Sequence, residues 1–139
     1  MDKLEYIPGD LVMVKKSALQ FAKDKTFRVI SSLSGGFVKV VMLNDSSTTY
    51  SISNNSVRPI PLTSEILEKN GWFEDSFLDN YKSFYKNDRN YPSLHGQQTK
   101  DGYIYDVDFG EETIITNIKY VHQLQHLLFG LGLNHEMEV

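Results

Sequence analysis

The sequence predicts an α+β protein in which short strands come first and the most regular helix comes last. Three observations carry that expectation. Residues 9–60 hold β-branched runs separated by glycine and polar turn signals, and residues 103–109 alternate as a half-buried strand should. Residues 118–131 repeat apolar side chains at helical spacing.

The strands of the first part follow in order. Gly9-Asp10 precedes Leu11 to Val14, and a second run covers Thr26 to Ile30. Ser34-Gly35-Gly36 then separates it from Phe37 to Leu43, a hairpin signal because glycine reaches positive φ without a Cβ clash. Asn44 to Ser47 marks the next turn, Thr48 to Ile52 the fourth strand, and Ser56 to Ile60 a short fifth. Five short strands at this spacing suggest a small SH3-like β-barrel over residues 1–60. Between the first two strands, Ser17 to Lys25 is read as a helical turn or a long loop.

A connector helix is expected within residues 61–74. Thr63 or Ser64 can cap it, Glu65 suits its positive end, and Asn70-Gly71 supplies a left-handed stop. Residues 75–139 then form an aromatic-rich α+β lobe. Nine of the seventeen aromatic residues fall between Trp72 and Tyr105, and the spacing of Phe77, Tyr81, Phe84 and Tyr85 predicts a helix over 75–86. A polar loop is expected from Lys86 to Gly102. Tyr103 to Phe109 is a strand with Tyr103, Tyr105, Val107 and Phe109 on one face, and Thr113 to Ile115 is its antiparallel partner. Thr116 or Asn117 can cap the final helix, 118–131, and Leu133 to Val139 is expected to return as an edge strand.

Composition removes several function classes. With no cysteine among 139 residues, disulfides, thiolate catalysis and cysteine-ligated metal sites are excluded. No apolar run approaches the roughly 18 residues of a membrane span, and the N-terminus lacks a basic stretch leading into an apolar one. A cytoplasmic protein without membrane contact is therefore expected. Residues 1–60 carry eight Lys/Arg against five Asp/Glu, and the remainder six against thirteen. Lys15, Lys16, Lys23, Lys25 and Arg28 could form a basic patch, but so small a surplus argues against a dedicated nucleic-acid binder.

The final helix holds the most suggestive pattern. Tyr120, Val121, Leu124, Leu127, Leu128 and Leu131 gather on one face, and Lys119, His122, Gln123 and His126 on the other. Two histidines at i and i+4 can reach one metal ion, but HQLQH carries Gln123 where a zincin keeps its glutamate base. A histidine-ligated metal hydrolase thus lacks its base, and a solvated or partner-facing surface is the plainer account. Asp106 and Asp108 share a strand face, as a carboxylate pair or simply as a wet strand edge. No phosphate-cradling glycine loop or nucleophile elbow is present. No cofactor, bound metal or catalytic residue is assigned. The candidate binding residues are Lys119, His122, Gln123 and His126, with Tyr120 beside them and Trp72 from the aromatic belt.

Two blocks, RPIPLTSEILEKNGWF at 58–73 and IKYVHQLQHLLFGLGL at 118–133 with the EMEV tail, together resemble an uncharacterised family of small proteins. Its members are encoded by bacteriophages, prophages and other mobile elements of gut bacteria. The resemblance implies a setting and no particular activity. In that setting a non-enzymatic binding or regulatory protein is expected, acting on a protein partner or by self-association, with host-defence antagonism as one such role. The alternative is a pocket between the two parts that sequesters a nucleotide-like acidic ligand.

Overall fold

The computed structural model describes residues 6, 8–14, 25–33, 37–43, 45–53, 56–75, 81–100 and 102–139. The chain divides into two compact units, Met1–Ile60 and Pro61–Val139. The expected turns at 17–24 and 34–36 lie outside the described residues, as do Lys15, Lys16, Lys23 and Phe77. Among the described residues, no helix is long and apolar enough to cross a membrane.

The first unit is one antiparallel sheet of five strands, β1 (Leu11–Val14), β2 (Thr26–Leu33), β3 (Phe37–Met42), β4 (Asp45–Ser53) and β5 (Val57–Pro59). Their order is β4-β3-β2-β1-β5, so β1 lies between β2 and the C-terminal β5. The pairing Leu33↔Phe37 closes β2 onto β3 as the glycine signal led one to expect. Val12, Val14, Phe27, Val29, Val38, Val40, Ile52 and Val57 form the core, joined by Tyr6. These are the β-branched positions of the expected runs, whose side chains pack on a pleated surface with little loss of rotamer freedom.

The second unit opens with α1 (Ser64–Lys69). Thr63 Oγ1 accepts the Ile66 N–H at 3.3 Å, and Gly71 takes φ +89° one residue past the Asn70 cap. Both ends are therefore those the sequence indicated. Five strands follow as a second antiparallel sheet in the order β10-β9-β8-β7-β6: β6 (Trp72–Glu74), β7 (Tyr81–Lys86), β8 (Ser93–Thr99), β9 (Gly102–Phe109) and β10 (Glu112–Ile118). Helix α2 (Val121–Gly130) closes the fold. Phe84, Leu94, Tyr105 and Val107 are the buried apolar face of the sheet, and Leu67, Val121, Leu124, Leu127 and Leu128 are the buried apolar residues of the helices.

Several expectations for this unit are corrected. Residues 81–86 are a strand, not the second half of a helix. Phe84 is buried between the half-buried Lys82 and Lys86, while Tyr81, Ser83 and Tyr85 share the other face. The aromatic spacing fitted both periods, and pairing with β6 and β8 selected two. Residues 93–99, expected as loop, form β8. Finally, Ile118 belongs to β10 and Tyr120 is the N-cap of α2, so neither Thr116 nor Asn117 caps that helix. Leu131, expected in the core stripe, is an exposed C-cap.

The C-terminal residues form no strand. Asn70 clamps them instead, donating from Nδ2 to the Glu138 carbonyl at 2.7 Å and accepting the Glu138 N–H at Oδ1 at 2.8 Å. One side chain thus terminates α1 and ties down the tail.

Gly96 leaves no room for a side chain. A Cβ built there would lie 2.6 Å from Tyr105 Cε1 and 2.8 Å from Cδ1, and Tyr105 is fully buried. Gly96→Ala is therefore expected to destabilise the protein by about 1–3 kcal/mol through overpacking. Urea denaturation should show an earlier midpoint, and an unchanged midpoint would mean that the ring can yield.

Candidate functional site

The helix face singled out in the sequence is only partly available. His122, expected on the wet side, is 3% exposed. Its ring stacks on Tyr120, with centroids 6.0 Å apart and planes 15° from parallel, and His126 meets it edge-on at 5.5 Å. Gln123 serves the helix itself, since its Oε1 accepts the backbone N–H groups of Lys119 at 2.8 Å and Tyr120 at 3.1 Å. These donors precede the first helical turn, so the glutamine standing at the zincin base position does capping work. Gln125 is fully buried and donates to the His135 carbonyl at 3.1 Å.

Of the remaining candidates, Lys119 is exposed and Tyr120 half-buried, and both line a cavity of about 500 Å³ with residues 61–65 and the start of β9. Trp72 is buried, with Tyr91 packed edge-on against it, so it is a core residue and offers no open ring face. Among the described residues no group of three metal-ligating side chains surrounds the histidine pair.

A second constellation was invisible in the sequence. On the sheet face opposite the core, a hydrogen-bonded chain crosses four strands. Thr113 Oγ1 on β10 donates to Asp108 Oδ1 at 2.7 Å, and Asp108 Oδ2 lies 3.2 Å from His95 Nε2 on β8. His95 Nδ1 lies 2.9 Å from Ser83 Oγ on β7, and Ser93 Oγ is 3.0 Å from Nε2. The registers Ser83↔His95, Ser93↔Asp108 and Asp108↔Thr113 align these side chains. Tyr81 stacks on the His95 ring and Tyr85 meets it edge-on.

With its proton on Nε2, neutral His95 donates to Asp108 and accepts the Ser83 hydroxyl at Nδ1. Serine, histidine and aspartate thus stand in relay order. Acyl transfer asks further for a reachable serine and convergent N–H donors. Ser83 is 8% exposed and lies in a strand paired on both sides, where backbone N–H groups serve the ladders. The chain of bonds is better suited to holding Asp108 and Ser93 in place. Asp106, on the same strand face, accepts the Asn117 N–H at 3.3 Å.

Asp108 and Ser93 lie at the rim of a cavity of about 510 Å³, which Tyr85, Lys86, Arg89 and Tyr91 also line. The sequence alone did not join this site because its periodicity put Ser83 and Tyr85 on a helix and Arg89, Ser93 and His95 in a loop, away from Asp108 on its strand. The retrievable signal was the alternation YKSFYK itself, which suits a strand as well as a helix.

No family model, curated protein or solved structure matches the chain.

Burial pushes the His122 pKa down from 6.5 to about 4, with the neighbouring His126 charge as the lesser cause. The unfolded chain therefore takes up this proton at higher pH than the folded one. Stability conferred by neutral His122 is present above about pH 6.5 and is lost as pH falls toward 4, a loss on the order of 3 kcal/mol. Urea midpoints at pH 7 and pH 4 should differ less for His122→Gln than for the unaltered protein. Equal losses would place the imidazole in water.

Proposed function

We propose that this chain is a non-enzymatic binding or regulatory protein of a phage or mobile element, acting by protein contact in the host cytoplasm. The sequence resemblance supports the setting. We read the first sheet as an SH3-like barrel, a reading supported by the position of β1 between β2 and β5. Small barrels of this kind serve as binding modules more often than as catalytic centres.

The observation that carries the reading is the outer edge of the second sheet. Strand β10 ends the sheet order, and every residue from Glu112 to Asn117 is exposed. Ile114 and Ile115 stand 38% and 40% exposed there, with exposed Phe109 just across the turn. An edge strand presents a row of backbone donors and acceptors that an extended segment of another chain can complete. Register shifts after Thr113 and Ile115 interrupt that row and limit indiscriminate pairing. Lys119, exposed one residue beyond β10, adds a charge to the same edge.

This proposal relocates the contact surface from the His122/Gln123 face to β10, because the former is occupied within the fold. Tagged protein produced in a host cell should retain its partner, while Ile115→Lys should reduce recovery at least about tenfold, equivalent to about 1.4 kcal/mol. The variant's melting temperature should stay near that of the parent because the side chain is already exposed. Undiminished recovery with Ile115→Lys would dismiss this edge, and sedimentation would separate a second copy of the chain from a foreign partner.

A further inference from the structure

We infer that the cavity lined by Tyr85, Lys86, Arg89, Tyr91 and Phe109 binds an anionic ligand carrying a planar ring, of the size of a nucleoside monophosphate. All the lining residues belong to the second unit, which supplies its own cations. The cavity adjoins the β10 edge proposed above and shares Phe109 with it, while Arg89 and Lys86 belong to the cavity alone.

Its volume of about 510 Å³ falls within the usual range for small-molecule sites. The hydrogen-bonding capacity left over on its wall favours an acceptor-rich ligand. Asp108 is engaged at both oxygens, by Thr113 and by His95, and Asp88 holds the Asn90 N–H at 2.9 Å. Ser93 is committed to His95. The cations are not so engaged. Lys86 Nζ rests over the Tyr91 ring at 4.3 Å and is in no ion pair among the described residues. Arg89 is exposed, with no hydrogen-bond or ion-pair partner among those residues.

A guanidinium offers five donors in a fork that matches phosphate or carboxylate oxygens, and the ammonium adds a point charge beside it. Two carboxylates share the wall and repel an anion, but Asp108 stands against an imidazole and a hydroxyl, and Asp88 is turned to the loop backbone. Phe109 is 44% exposed at the cavity wall and gives a ring face for stacking, with Tyr85 half-exposed beside it. Arg89 lies in the β7–β8 loop and Phe109 at the end of β9. Anion and ring would thus be held from two sides, by the loop and by the end of the strand.

Calorimetry with adenosine 5′-monophosphate, adenosine and inorganic phosphate tests this on the full chain. The monophosphate should bind saturably at one site, more tightly than either fragment, and its amide chemical-shift changes should centre on Arg89 and Phe109. Arg89→Gln should weaken it about tenfold while Lys100→Gln, an exposed change outside the cavity, leaves it unaltered. Absence of saturable binding at millimolar ligand would overturn the proposal, as would unchanged affinity in Arg89→Gln. Adenosine binding as tightly as its monophosphate would remove the anion from it, and phosphate doing so would remove the ring; either result overturns the site as described. Arg89 is exposed and not part of any core, so the variant's far-ultraviolet dichroism should match the parent's and a loss of binding reads on the site alone.

Discussion

The second unit depends on one close approach, that of the Tyr105 ring to Gly96. Tyr105 is fully buried, packed against Phe84 and Tyr103, and its ring occupies the space any side chain at position 96 would need. That contact seats β8 between β7 and β9 with Leu94 inward and His95 outward. Because side chains alternate along a strand, a slip of one residue would bury His95 and expose Leu94. The register therefore places the core and the polar chain together.

Burial in this unit also extends to polar groups. The Tyr105 hydroxyl has no hydrogen-bond partner among the described residues, and burial pushes its ionisation far above the usual phenol range. Gln125 reaches the His135 carbonyl, and His122 is held neutral beneath Tyr120. Buried polar groups add little net stability even when satisfied and cost more when they are not. The burial of His122 in α2 makes this helix sensitive to acid.

The two candidate surfaces meet at Phe109 and call for different chemistry. The β10 edge offers unpaired backbone and exposed isoleucines, which suit an extended polypeptide. The cavity beside Arg89 offers donors and ring faces, which suit a small anion. The Thr113–Asp108–His95–Ser83 chain runs between them, from the edge strand to the middle of the sheet. It makes the rim of the cavity part of the sheet's rigid frame.

What the sequence determined by itself was local. The β-branched runs marked the strands of the first sheet, Thr63 and Asn70-Gly71 bounded α1, and the alternation from Tyr103 to Phe109 marked β9, because each signal is complete within a few residues. Tertiary structure decided the rest. Residues 81–86 are a strand with β6 and β8 on either side, and SLHGQQT, with one apolar residue facing inward, is a strand paired with β7 and β9, its glycine covered by Tyr105. His122 sits on the polar side of an isolated helix, and what buries it lies outside the helix's own periodicity. Hydrophobic period reports which face a segment prefers; which faces are covered depends on partners far away in the chain.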